Sequence, residues 1–530
     1  MKKPFFLYTP AIILLLSTGI RAQSPNPLYH HLPPTADHIY EVNFSQIMSK
    51  GQLAPLLGML PPSKNAHTAL IFDILRDPAA AGADLSHNIV ATQTSATGKG
   101  DDTLSFTNIF VKLSDSAKFR RTLTQSIAGV HIHRVPGKGF TAGQEHVGLA
   151  WNDQLLVVTL ATRETASPAS QAEAPAKPGR LISEIAIEKS LAALAGFPTS
   201  PWLTNQNFLT GFASDADVHM WSTGANMGKM FSKLARNLAD KKAGMPPMAE
   251  PNFGNMADRP HPQTLSTLNF GNGDIAFRMT TFNKPEDAAA YRAAMDRPFN
   301  KDLIARLPNG LLLGWMAAHI NLAGMGAILD KYHAREKVDS MLQKKGLSFN
   351  DISAAFGGDV MLAAMAPDSA ATDTARKKPT LFFVASIADP AKMMALSSKL
   401  AAAAPGSDTG KSPFKNMAAN SYLQDNLLVI SKSRDKAKSY FDHTDRRTVD
   451  LAGDDIHVMR VVINLKAVGT FIGSAMANDP KSMIFARISE KLDKFIINAG
   501  LDGDNTITSF RITMADQSTN SLQTLMSIMH

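Results

Sequence analysis

Apolar and polar positions along the chain fall into one recurring order. A short extended run stops at an asparagine, and apolar residues at helical spacing follow. In "EVNFSQIM" (41–48) the run ends at Asn43, and Phe44, Ile47 and Met48 then share one helical face. The same junction recurs at Asn226 in "STGANM", at Asn321 in "HINLAGM" and at Asn464 in "VVINLKAV". Downstream come two extended segments around Gly/Asp turns such as "GNGD" (271–274), "GGD" (357–359) and "DGD" (502–504). Helical patterns then follow at "SDSAKFRRTL", "KPEDAAAYRAAM", "ADPAKMMALSSKL" and "STNSLQTLMSIM". Asparagine suits a helix start because its side-chain oxygen accepts an otherwise orphan N–H of the first turn. Four separated copies of one junction are what capping predicts, so Asn43, Asn226, Asn321 and Asn464 are expected to be structural N-caps. Asp115 and Asp389 are expected to open their helices in the same way.

The order of these segments repeats along the chain. "IFVKLSDSAKF" (109–119) matches "FVASIADPAKM" (383–393), and "NDQLLVV" (152–158) matches "QDNLLVI" (424–430). "DVHMWSTGANM" (217–227) matches "DIHVMRVVINL" (455–465), and "FRMT" (277–280) matches "FRIT" (510–513). The expectation is an internal duplication, with a first half over 32–300 and a second over 305–530. Each half contains two units of β-α-β-β-α type, at 32–162 and 210–300, then at 305–445 and 450–530. Extra hairpins are expected around "WNDQLL" and "LQDNLL". The fold class is therefore α+β, with ferredoxin-like (split βαβ) units forming antiparallel sheets and helices on one face. Between units, 163–180, 243–263, 366–379 and 401–413 are rich in Pro, Ala, Ser or Met and read as linkers and loops.

The N-terminus changes where this fold is expected to reside. Lys2 and Lys3 precede an apolar run over 5–16 and a short polar stretch ending in "GIRAQ", the pattern of a secretory signal over 1–22. Cleavage is expected after Ala22 or after Gln23. No later stretch approaches the roughly 20 apolar residues of a spanning helix. The 530 residues include no cysteine, so an exported form has no disulfides and no cysteine for a lipid anchor. The periplasm, the outer-membrane periphery or the extracellular medium is the expected location. Without Lys2, Lys3 and Arg21 the formal charge of +8 becomes +5, and scattered basic residues do not form a nucleic-acid-binding block.

Candidate chemistry is sparse. His131 and His133 in "VHIHRV" have a legitimate ligand spacing, with Glu145 and His146 placed for a neighbouring strand. The corresponding region of the second half, near "NMAANSYL", has no histidine, so packing or surface roles are expected and no metal or other cofactor is assigned. His219 and His457 repeat, each one residue ahead of an apolar strand, and are expected to be structural. "SRDK" (433–436) has the S-x-x-K form of a serine nucleophile without its S-D-N and K-T-G companions, so Ser433 is expected to cap a helix. "GKGFTAG" (137–143) lacks phosphate-loop spacing and reads as a hairpin loop. The 25 methionines are expected chiefly to fill irregular cores, while Met245, Met248 and Met256 fall in a loop.

"LPPTADHIYEVNFSQIMSKGQL" (32–53), "GADLSHNIVATQT" (82–94) and "LTNQNFLTGFASDADVHMW" (203–221) resemble segments of the DUF4836-type domain-of-unknown-function family of exported Bacteroidota proteins. Many members of that family look like lipoproteins; this chain has no cysteine to lipidate. The resemblance implies an exported protein and no particular activity, and it contributes no functional residues. Taken together, the expected function is that of an envelope-associated binding or scaffold protein without catalysis, its envelope or extracellular partner unspecified. The alternative is an enzyme, such as a hydrolase, acting on envelope or extracellular polymers in a cleft between the halves.

Overall fold

The computed structural model describes residues 26–53, 66–95, 103–164, 182–224, 262–331, 333–344, 346–367, 379–402, 420–442, 457–475 and 480–529. The expected leader, Asn226, Met245, Met248, Met256 and most of each expected linker lie outside them. The protein is α+β, with 18 strands among the described residues and every ladder between them antiparallel. No described helix is long and apolar enough to cross a membrane. The chain divides into two compact units, Met1–His261 and Pro262–His530.

The first unit opens with a 3₁₀ turn, Pro27–His31, followed by β1 (His38–Val42), α1 (Phe44–Gly51), α2 (Ala66–Arg76) and α3 (Pro78–Ala81). Strands β2 (Ile89–Ser95) and β3 (Thr103–Lys112) lead into α4 (Ser116–Ser126). Then come β4 (His133–Val135), β5 (Gly139–Gln144), β6 (Val147–Trp151) and β7 (Leu155–Glu164). The unit closes with α5 (Ile182–Ala195), α6 (Gln206–Phe212) and β8 (Val218–Ser222). Pairing gives the order β8–β1–β2–β3–β7–β6–β5–β4.

Alternation along β3 sends its side chains into two different cores. Val111 joins Leu70, Phe119, Leu123 and Trp151 beneath α2 and α4. Phe106, of opposite parity, meets Ala186 of α5 with Ala161 of β7. Helices therefore lie on both faces of this sheet, not on one. The reason is legible in β6, whose residues are buried throughout and so need cover on both sides. Helix α5 sits so close that a Cβ on Gly148 would stand 2.3 Å from the Ala186 carbonyl carbon.

The second unit runs β9 (Gln263–Phe270), β10 (Asp274–Phe282), α7 (Pro285–Ala294), α8 (Asp302–Ala305), β11 (Leu312–His319) and α9 (Leu322–Lys331). It continues with α10 (Arg335–Gln343), α11 (Phe349–Ala355), β12 (Phe356–Met365), β13 (Thr380–Ile387) and α12 (Pro390–Ala402). A short hairpin of β14 (Ser421–Gln424) and β15 (Leu427–Ile430) precedes α13 (Arg434–Ser439) and β16 (His457–Asn464). The chain then forms α14 (Leu465–Ala475), α15 (Pro480–Lys491), β17 (Leu492–Asp502), β18 (Asn505–Met514) and α16 (Ser521–Met529).

Its order is β9–β10–β18–β17–β16–β11–β12–β13–β15–β14. Strands β9 and β10, which the duplication reading assigns to the end of the first half, belong to this unit. There β10 pairs with β18, and Phe277 stands opposite Phe510. The β14–β15 turn is Asp425–Asn426, both with positive φ, where short polar side chains tolerate the left-handed conformation. The main core gathers Trp315, Met361, Phe382 and Val429 beneath Phe299, Leu303 and Tyr440. A second cluster on the opposite side of β13 joins Ile387 to Leu347, Met393 and Leu396.

Candidate functional site

The strand-to-helix junctions are where buried polar groups collect. Asn43 follows β1 and its Oδ1 accepts the Gln46 N–H (3.1 Å). Asn321 follows the last pair of β11, and its Oδ1 accepts the N–H groups of Ala323 (3.1 Å) and Gly324 (3.2 Å). Asn464 ends β16 and accepts the Ala467 N–H (2.9 Å). Asp115 and Asp389 open α4 and α12 with the same pattern of accepted N–H groups. Asn205 caps α6 by accepting the Phe208 N–H, a further cap that the repeat pattern did not single out.

One residue pair before Asn43, the first unit places a carboxylate inside the sheet. Glu41 is 2% exposed. Its Oε1 accepts from Asn26 Nδ2 (2.8 Å) and Asn88 Nδ2 (3.0 Å), and its Oε2 accepts from the Tyr29 hydroxyl (2.7 Å). Burial and the neighbouring Glu41 push the Tyr29 hydroxyl well above the ordinary tyrosine range. Directly across the β1–β8 ladder from Glu41 stands His219. Rather than preceding its strand, His219 lies within β8 and is 2% exposed. Its Nε2 is 2.8 Å from Ser214 Oγ, and its ring stacks on Phe212 at 5.1 Å. Desolvation lowers its pKa, partly offset by Glu41.

Serine, histidine and a carboxylate side by side invite comparison with a hydrolase triad. Ser214, however, has a single hydroxyl proton, and the Gly211 carbonyl at 2.9 Å competes with His219 for it. A nucleophile needs its proton facing the base. The Ser214 contact and the Phe212 stack fix the orientation of the ring.

In the second unit the end of β11 carries His319, 4% exposed. Its Nε2 lies 2.7 Å from Asp296 Oδ1 and its Nδ1 3.1 Å from Asp359 Oδ1. Arg297 grips Asp359 with two guanidinium nitrogens, at 3.1 and 2.7 Å, and the Asn300 N–H adds a further bond (3.1 Å). Asn321 Nδ2 donates to the second oxygen of Asp296 (2.8 Å), tying this network to the α9 cap.

The other candidates are not drawn together. His133 begins β4 opposite Thr141, and His131 lies before that strand. Glu145 and His146 form the two-residue β5–β6 turn, with Glu145 at φ 54°, instead of lying on a strand. Among the described residues no group of three or more His, Asp or Glu is placed to hold a metal ion. Ser433 caps α13, accepting the Lys436 N–H (3.3 Å). Most of "GKGFTAG" is strand: Gly137 and Lys138 complete the β4–β5 turn that starts at Pro136, and β5 begins at Gly139. A depression of about 600 Å³ in the second unit is bordered by Glu490, Lys491, Asp516, Thr519 and Gln523. There Asp516 is engaged by the hydroxyls of Ser518 and Thr519, which hold its carboxyl below the usual carboxylate range.

No protein-family model and no curated protein matches the chain. Among solved structures, crystal form I of TP0453 aligns over 50% of this chain and 81% of its own, at 12% identity and a TM-score of 0.27. Crystal form III aligns over 52% and 88%, at 8% identity and the same TM-score. Similarity at that level carries no argument about fold or function.

Proposed function

We propose that the chain is an exported, envelope-associated binding or scaffold protein that works without catalytic chemistry, built by internal duplication. The observation that carries this reading is the state of the buried polar groups. Glu41, His219, His319 and Asp359 each have hydrogen-bond partners within the fold, and none presents an unengaged acid, base or nucleophile to a substrate. Such networks rigidify a scaffold.

Two features support duplication. The run β8–β1–β2–β3–β7–β6 has its counterpart in β16–β11–β12–β13–β15–β14, with the "NDQLLVV" and "QDNLLVI" hairpins at matching places. The matching "FRMT" and "FRIT" segments meet on β10 and β18, where Phe277 and Phe510 are direct partners with ring centroids 5.7 Å apart. Such pairing is what a local two-fold relation between repeats would produce, and it supports that reading.

The test has two arms. Fractionation of the native host should place a chain lacking the leader in the envelope or the medium; an intact Met1 terminus in the cytoplasm overturns the export reading. Purified mature chain should release no soluble fragments from peptidoglycan or cell-surface polysaccharide. Turnover that survives repurification overturns the non-catalytic reading.

A further inference from the structure

The Glu41–His219 pair lies beneath the N-terminal segment, and the segment is held by the same carboxylate that faces the histidine. Leu28 and Tyr29 are buried in the first unit, and Leu32 is fully so. Tyr29 packs edge-on against Phe208 (5.1 Å) and Phe212 (6.1 Å), while Phe212 in turn stacks on His219. The segment is further fastened by the Phe197 N–H to His30 O (2.7 Å) and by Trp202 Nε1 to Pro33 O (3.0 Å). It is thus latched through Asn26 and Tyr29 to Glu41, which stands across the ladder from the imidazole, and it packs on the Phe212 ring that stacks on that imidazole.

We propose that Glu41 and His219 form an acid-operated clasp for residues 26–33. The charged or titratable groups around the imidazole are few. Glu41 faces it from β1, and Asp215 and Asp217 lie in the loop before β8. Lys50 of α1 is paired with Asp217 (2.8 Å), and the 3₁₀ turn brings the Tyr29 hydroxyl, exposed His30, and His31, whose Nδ1 lies 3.0 Å from the Ala193 carbonyl oxygen. A proton added to His219 places a buried cation under Tyr29 and Phe212, and Glu41 is then drawn between its three donors and the imidazolium. Lifting the segment hydrates the ring and relieves that cost.

The sign follows from burial, which makes the closed state bind this proton less readily than the open one. The closed state is fully stable above the ordinary histidine range of about 6.5 and loses stability as the pH falls below it. Closed and open forms are a two-state element that acid biases toward opening.

Amide hydrogen exchange on the intact chain, corrected for intrinsic rates at each pH, tests the clasp. Protection of residues 28–32 should be constant above about pH 7 and fall by up to about tenfold per pH unit below about 6.5, the ceiling for one proton. Strands β3 and β7 should keep their protection. His219→Gln should make protection of 28–32 independent of pH. Tyr29→Phe, which removes one latch and leaves the histidine, should move release to higher pH; it also serves should His219→Gln fail to fold. Flat protection in the parent overturns the proposal, as does simultaneous loss across the whole first unit. Undiminished pH dependence in His219→Gln, or parent-like release in Tyr29→Phe, overturns it too.

Discussion

The ends of β1 and β11 are built alike and filled differently. Each strand runs into an asparagine that caps the next helix, at Asn43 and Asn321. Two positions before each asparagine sits a buried titratable side chain. In the first unit this is Glu41, surrounded by neutral donors from Asn26, Asn88 and Tyr29. In the second it is His319, set between Asp296 and Asp359, with Arg297 completing the row. Backbone and cap are thus alike while the buried titratable side chain differs. The difference teaches that the cap is a requirement of the fold, whereas the charge beside it can change once its own partners change with it.

The comparison breaks most visibly at Asp359. It alone meets Arg297, His319 and the Asn300 N–H, so Asp359→Ala leaves two basic groups without their buried carboxylate. Removing one member of such a network costs about 3–5 kcal/mol. Denaturant unfolding followed by hydrogen exchange should show that loss in β11 and β12, with the first unit unaffected. A cost below about 1 kcal/mol would mean that Arg297, half exposed, simply turns to solvent.

Next in size is Glu41→Gln. The amide oxygen can keep both asparagine donors, and the new amide nitrogen then faces the Tyr29 hydroxyl, which must turn from donor to acceptor and loses its charged partner. The expected cost is about 1–3 kcal/mol, seen in β1 and the 3₁₀ turn. A larger cost than that of Asp359→Ala would reverse the ordering of the two junctions.

How much of this was legible beforehand depends on the range of the interactions. Capping is local: Asn43 bonds an N–H three residues on, so strand, asparagine and helix period could be read from eight letters. The Asp425–Asn426 turn was legible for the same reason. The partners of Glu41 and His219 were not, because register sets them. His219 reads as the residue ahead of an apolar run until the β1–β8 ladder puts it opposite Glu41. One signal was available, namely a charged residue at an inward position of an otherwise apolar alternation, "IYEV". Cover on both faces was also hidden, since α5 reaches β6 across a chain separation no periodicity reveals. The histidines at 131 and 133 erred in the other direction. A shared ligand face needs a strand through both, and β4 starts only at His133.

The smallest expected effect tests what the two junctions share. Asn43→Ala and Asn321→Ala each remove a side-chain acceptor and leave helical N–H groups of α1 or α9 to water. Cap loss typically costs about 1 kcal/mol, and replacement by glycine only a few tenths. The two sites should not be equal. Asn43 also accepts from the Ser45 hydroxyl (3.1 Å), a neighbour that can itself turn toward the exposed backbone. Asn321 donates to Asp296, so its loss loosens the carboxylate that faces His319. Asn321→Ala should therefore exceed Asn43→Ala by a few tenths of a kcal/mol, and the excess should vanish in an Asp296→Asn background. That double-mutant cycle separates the cap, which both units need, from its coupling to buried charge, which only the second unit has. Equal costs in both backgrounds would show that Asn321 acts as a cap alone.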